Sequence, residues 1–415
     1  MSLNDTVSAE AGTANSSPTA AQKGLIWFLA ALVGFGPASI DMYLPSFLDI
    51  ARDLHTSYND VQLTLSTFLV GFAIGQLVIG PLSDRYGRRP ILIWGISLYC
   101  VSSLLCAASA GIETLIGLRL LQALGGCAGN VVARAVVRDV HSGSSSAKAM
   151  SLMMLVSAIT PLVAPIIGSY IVLWAGWRTL FLVLSLFGLA CLVASLFFYR
   201  ETLRPENRTS LNLITTVKSY RVIFAHKSSV GYLLAGGMAF ATLFAYISGA
   251  PGVFMGHFGL TRQLFSVIFA CNIVGLASGS MLNNRIVAKV GADRLLAMGT
   301  TLSASAGLVL FAVCWVGIDN IVLFSVLLFL TVAALHMVYA NAIAGLLEHY
   351  PRLAGTASAL FGGAQFGFGA VAGTLVGQFY GGDPRSMVTI MAITSVISFL
   401  AQKFLARASA SPQAS

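Results

Sequence analysis

The sequence predicts an all-α integral membrane protein: twelve transmembrane helices arranged as two pseudo-symmetric six-helix bundles. Three observations carry that reading. Only 9% of the 415 residues are charged and 57% are hydrophobic, against about 25% charged in soluble domains. Twelve apolar stretches recur along the chain, each near the ~20 residues that a helix needs to cross a bilayer. A short arginine-rich turn between the second and third stretches has a counterpart about 200 residues later, which points to duplicated halves.

Taken in order, residues 1–22 (MSLNDTVSAEAGTANSSPTAAQ) are small, polar and aperiodic, the composition of a disordered tail. They lack the basic start of a secretory signal peptide, so the first apolar segment is expected to stay attached. Six spans follow at 24–46, 61–80, 91–110, 114–134, 149–171 and 178–199. Six more lie at 229–254, 264–284, 294–316, 321–346, 354–379 and 386–405. The turns at Gly111 and Asp319 are so short that the spans they join are antiparallel neighbours. The loop RETLRPENRTSLNLITTVKSYRVIFAHKSS divides the spans six and six. The chain therefore reads as a tail (1–22), a bundle (23–199), a linker (200–228), a second bundle (229–406) and a short tail (407–415). The 41 glycines suit close packing of membrane helices.

With the N-terminus placed in the cytoplasm, 19 basic residues fall on the inner side and four (Arg52, Arg178, Arg262 and Arg385) on the outer side. Arg119, inside a span, accounts for the last of the 24. Cytoplasmic loops carry such an excess of Lys and Arg. Both termini are expected to be cytoplasmic, in the inner membrane of the cell, and the net charge of +9 needs no nucleic acid to explain it. Asn207-Arg208-Thr209 matches a glycosylation sequon, but on a cytoplasmic loop it is a chance match.

The six cysteines fall in apolar segments without a CxxC pair, so packing explains them better than a disulfide framework or a metal site. No HExxH, GxSxG or phosphate loop occurs, which argues against an intramembrane enzyme and against ATP drive. LLEHYP (346–351) offers one histidine and no paired ligand. No ring-forming filter sequence suggests a channel. A gradient-driven transporter without a cofactor, acting as a monomer, is the expectation.

GPLSDRYGRRP (80–90) stands between spans two and three, and SMLNNRIVAKVG (280–291) between spans eight and nine, with Asp84-Arg85 aligned on Asn284-Arg285. The first resembles the signature turn of the major facilitator superfamily, G-x-x-x-D-R-x-G-R-R. RLLQALGG (119–126) resembles that superfamily's fourth-helix motif. TPLVAPIIGSY (160–170) resembles its fifth-helix antiporter motif G-P-x-x-G-G, with alanine and serine at two of the glycines. SIDMYLPSF, LTLSTFLVGFAIGQLVIGPLSDRYGRRP and AGTASAL (354–360) together resemble the bicyclomycin-resistance (Bcr/CflA) group of drug:proton antiporters. The likeness covers nearly the whole chain except both tails, and it implies the major facilitator fold.

Within the spans, two charges call for an explanation. A charge at the bilayer centre costs about 2.5–3.5 kcal/mol on insertion scales, yet Asp41 sits near the end of the first span and Arg119 in the fourth. At 1.5 Å per residue, Asp41 lies about 12 Å below Asp49 and Arg119 about 9 Å below Glu113, so their depths are similar. The resemblance implies that both helices line a central cavity, across which the pair is expected to meet. One reading is a static ion pair joining two helices. The other is a proton switch, in which a moving arginine or a competing cationic drug changes the proton occupancy of Asp41. His336 in span ten is expected nearer the cytoplasm, either packing or relaying protons.

Asp84 suits a helix N-terminus, which the resemblance implies is the start of span eleven near Arg352–Thr356, closing a cytoplasmic gate. Arg85, Arg88 and Arg89 would then hold lipid phosphates or nearby carboxylates. Pro161, Pro165 and Gly168 interrupt the ladder of span five, for a bend or for close packing. Tyr43, Phe240, Phe244, Tyr246, Phe361 and Phe366, with Gln122, Asn272, Asn341 and Gln365, are candidates for a drug pocket, the amides above all because they are costly to bury unpaired. The expected function is exchange of small drugs for protons by alternating access. The alternative is a proton-coupled exporter of amino acids or small peptides with incidental drug efflux. Neither substrate identity nor proton stoichiometry can be read from these residues.

Overall fold

The computed structural model describes residues 20–140, 143–208 and 220–406. Among these residues twelve helices are long and apolar enough to cross a membrane, and no strand occurs. We number them α1 (Gly24–Asp53), α2 (Tyr58–Tyr86), α3 (Arg88–Ala107), α4 (Ile112–Val140), α5 (Lys148–Ala175), α6 (Trp177–Phe197), α7 (Lys227–His257), α8 (Arg262–Val290), α9 (Ala292–Val316), α10 (Ile321–His349), α11 (Ala354–Gln378) and α12 (Arg385–Phe404). Several run beyond the stretches read from hydropathy, because a helix does not stop where hydrocarbon does. Residues 20–22 already belong to the first helix. The rest of the two expected tails, and Thr209 of the sequon, lie outside the described residues.

The two halves repeat with an offset of 204 residues, not the 200 suggested by the aligned turns. Ser57 and Thr261 cap α2 and α8 through their hydroxyls, both helices are 29 residues long, and both end on a glycine of positive φ, Gly87 (103°) and Gly291 (88°). That conformation is open to glycine and strained for other residues. On this register Asp84 pairs with Ala288 and Arg85 with Lys289. The earlier pairing of Asp84 with Asn284 slips by one helical turn, since hydropathy fixes a span and not its phase.

In the first half α4 packs on α2 and α3, and α3 on α6; in the second, α7 packs on α10, α11 and α12, and α9 on α12. Two seams join the halves, α2 with α11 and α5 with α8. They are exchanged by the 204-residue repeat. Small residues permit the closest approaches: a Cβ at Gly125 of α4 would stand 2.5 Å from the Tyr99 nitrogen of α3.

Helix α1 is broken in two places. It is helical to Val33, resumes over Phe35–Asp41, passes through a 3-10 turn at Leu44–Ser46 and ends with Phe47–Asp53. Pro37 and Pro45 are the cause: each lacks the N–H that would bond four residues back, and its ring crowds that carbonyl. The carbonyls so released are those of Val33 and Asp41. Helix α10 breaks at Ala334, where Gly279 of α8 comes so near that a Cβ would collide with the Ala333 carbonyl oxygen. Helix α7 ends in a π-helical turn, Gly252–His257, just after Pro251.

Candidate functional site

Asp41 and Arg119 do not meet. Arg119 is fully buried inside the first bundle, where it donates to Gln122 Oε1 (2.6 Å) and to the Ser39 carbonyl (3.0 Å). Its guanidinium also lies over the rings of Phe68 (4.3 Å) and Tyr43 (4.7 Å). Gln122 donates onward to Ser103, Tyr43 bonds Thr64, and Ser39 bonds Tyr99, which extends a buried polar network around Arg119. Asp41 is buried, and none of the ion pairs among the described residues includes it. It lies instead within electrostatic reach of Tyr246 in the second half. The depth arithmetic gives height but not azimuth: at 3.6 residues per turn one residue turns a side chain by about 100°. Tyr43 and Gln122, expected in a drug pocket, therefore belong to the support of Arg119.

A cavity of about 280 Å³ lies between the halves, in the part of the molecule nearer the arginine-rich turn. The first half contributes Gln76, Asn130 and Arg134; the second contributes Phe240, His336, Tyr339, Phe361, Gln365 and Phe366, with aliphatic residues filling the walls. Phe240 and Gln365, two of the drug-pocket candidates, line this cavity. Phe244 backs the wall, its ring 4.7 Å from that of Phe240, and does not line it. Asn341 is spent on Asn283 Oδ1 (2.6 Å) and the Met337 carbonyl (2.8 Å). Asn272 donates to the Ile268 carbonyl and keeps Oδ1 unpartnered, away from the cavity.

The structure adds Arg134, Asn130, Gln76 and Tyr339, which sequence reasoning did not place in the pocket. Arg134 was assigned to the inner surface, but α4 continues to Val140 and its side chain faces the cavity. The signal available was a polar pair, Asn130 and Arg134, one turn apart in an apolar helix. His336 also lines the cavity, edge-on to Tyr339, because the break at Ala334 turns it there.

On the opposite face the halves are tied together. Asp49 of α1 accepts two bonds from Arg262 of α8 (2.5 and 2.8 Å). Gln62 of α2 donates to the Ser248 carbonyl of α7 (2.6 Å), and the Tyr58 hydroxyl accepts the Gly252 N–H (2.8 Å). Polar side chains of α2 thereby enter the backbone ladder of α7 where Pro251 and the π turn loosen it. Ser266 of α8 donates to the Pro165 carbonyl of α5 (3.1 Å).

The arginine-rich turn is organised within the first half. Arg88 is buried and bonds Asp84 (2.5 Å), Asp139 (2.9 Å) and Ser83 (2.7 Å). Asp84 is thus engaged four residues along its own chain, and no described residue of α11 donates to it. Arg89 donates to the Leu196 carbonyl at the end of α6, and Arg85 lies over the Tyr86 ring. Glu201, just past α6, accepts the N–H groups of Arg88, Arg89, Thr202 and Leu203. Burial pushes its carboxyl up, but those four backbone donors outweigh it and hold the group below the ordinary carboxylate range.

Helix α5 stays helical through Pro161 and Pro165. Gly168 marks its closest contact: a Cβ there would collide with the Met42 carbonyl oxygen at the break in α1.

A family profile described as Major Facilitator Superfamily matches residues 26–249. The chain is 36% identical to the bicyclomycin resistance protein homolog of Haemophilus influenzae, over 89% of this chain and 92% of that one. It is 30% identical to multidrug resistance protein D of Escherichia coli, over 91% and 95%. Among solved structures, a bacterial homolog of the human lysosomal transporter Spinster, in an inward-facing and occupied conformation, superposes with a TM-score of 0.75 at 14% identity, over 94% of this chain and 97% of that one.

Proposed function

We infer the function from one premise: the chain belongs to the major facilitator superfamily, and is a multi-pass membrane transporter. We propose that it is an efflux transporter exchanging small-molecule drugs for protons by alternating access in the inner membrane, with both termini in the cytoplasm. The observation that carries the drug reading is the nearly full-length likeness to the bicyclomycin and multidrug resistance proteins. The bundles 23–199 and 229–406 would be the bodies that rock, with the linker 200–228 between them. The cavity on the side of the arginine-rich turn and the ties at the Asp49 face support a state that loads from the side of that turn, which the proposed orientation makes the cytoplasm.

Asp41 is the proposed proton carrier. An unpaired carboxylate is tolerable in such a place only while water reaches it or a proton neutralises it. A change of access on rocking therefore changes its proton occupancy. Arg119 is a positioning residue in this scheme: it grips the Ser39 carbonyl two residues before Asp41 and fixes the break. One proton moving through ~100 mV supplies about 2.3 kcal/mol, roughly a 50-fold concentration ratio. Asp84, Arg88 and Asp139 would shape the cytoplasmic gate.

The test compares wild type with Asp41→Asn in proteoliposomes holding a pH-sensitive dye, with bicyclomycin and other antibiotics added in turn, and amino acids as the competing cargo. Substrate-dependent proton movement in the wild type that disappears in the variant is expected. Undiminished movement in the variant would transfer the coupling role elsewhere.

A further inference from the structure

We propose that the cavity selects compact aromatic anions, with Arg134 as the residue that recognises their negative group. The inference deepens the efflux reading by naming a substrate class. It starts from an imbalance of charge. The wall holds one guanidinium, Arg134 of α4, and one imidazole, His336 of α10, and it holds no aspartate or glutamate. Asp41, the buried carboxylate of α1, is not part of it.

Arg134 makes no hydrogen bond or ion pair with any described residue, in contrast to Arg88 and Arg119, each held by hydrogen bonds to its own half. Its placement is more than topology demands. Arg138 already supplies the basic charge at the end of α4, and Arg134 stands about 6 Å deeper along the helix. A guanidinium offers a planar fork of donors suited to a carboxylate or an ionised sulfonamide. Further donor capacity converges on the same space. Gln365 is 3% exposed, and its Nε2 has no partner.

The remaining walls fix the other half of the ligand. Phe240 and Phe366 meet nearly edge to face at 5.1 Å, and Phe366 also packs on Phe72 at 5.0 Å. Phe240 and Phe366 thus give the same cavity that Arg134 lines an aromatic wall. A ring carrying one negative group satisfies both parts, whereas a cationic drug would face Arg134 with no acid to offset the repulsion.

Three probes of nearly equal size separate the charge classes: 4-nitrobenzoate, neutral 4-nitrobenzamide and the cationic 4-nitro-N,N,N-trimethylanilinium. Binding to the full-length protein in nanodiscs is expected to be at least tenfold tighter for the anion than for the cation. Arg134→Gln is expected to weaken the anion at least tenfold while the amide stays within twofold, and Arg134→Lys to recover part of the loss. A cation bound as tightly as the anion would overturn the proposal, as would an Arg134→Gln protein with unchanged benzoate affinity. The wild-type order of the three probes decides the question alone should the glutamine variant resist purification. Proton-coupled export of a neutral antibiotic is measured separately and stands or falls independently of this result.

Discussion

Gly168 shows how little room the break in α1 has. The break in α1 leaves the backbone around Met42 against α5, and only a residue without Cβ lets the two chains approach that far. Overpacking at such a contact costs about 1–3 kcal/mol. Gly168→Ala is therefore expected to lower the unfolding temperature in detergent and to slow transport. Gly367→Ala, at a glycine with open space around it, should change neither. Equal melting of the two variants would mean that α5 yields without penalty. At this scale the sequence was informative about identity and depth but not about direction. Asp41 and Arg119 were visible as charges in apolar runs, whereas the breaks at Pro37 and Pro45 on either side of Asp41 were not read from the sequence. That Arg119 turns into a cage of Phe68 and Tyr43 depends on the azimuth of four helices packed together, which no single span encodes.

Between helices, the arginine-rich turn acts first as a joint. Gly87 turns the chain, and the Glu201 carboxylate sits at the exposed N–H groups that open α3, where a negative charge is favoured. Its exposure lets water screen it, so its contribution is no more than about 1 kcal/mol. The sign follows from the direction of the shift. A carboxyl held below its unfolded value of about 4.3 stabilises the fold above that pH, and the benefit fades as pH falls through the lower folded value. Glu201→Gln should therefore melt earlier than wild type at neutral pH, with the gap closing in acid. A gap that persists once the carboxyl is protonated would assign the effect to shape instead of charge. The twelve spans were legible because each is a long apolar run. The repeat was legible only as a likeness of turns, and its 204-residue register needed the matching caps Ser57 and Thr261 and the matching glycines Gly87 and Gly291. The acid that caps α3 comes from a polar loop over a hundred residues away, and local sequence carries no sign of it.

For the molecule as a whole, two seams related by the repeat leave one face tied and a cavity toward the other, so the ties at the Asp49 face should set the balance between conformations. Among them, Asp49–Arg262 is the one made of opposite charges from opposite halves, partly buried and bidentate, the stronger kind of pair. Removing one partner leaves the other charge partly desolvated. A loss of about 1.4 kcal/mol from the closed state multiplies the population open on that face by about ten. Position 66, buried just inside the ties, reports on that opening. With the six native cysteines replaced and Ser66→Cys introduced, a membrane-impermeant maleimide added from the Asp49 side should react three- to tenfold faster in Asp49→Asn or Arg262→Gln than in the parent. The exchanged pair, Asp49→Arg with Arg262→Asp, should return the rate toward that of the parent, because it restores attraction across the same seam. If the exchange reacts as fast as the single variants, the ion pair is a bystander. The weight would then move to Gln62 and Tyr58, whose bonds to Ser248 and Gly252 hold the same face shut without any charge.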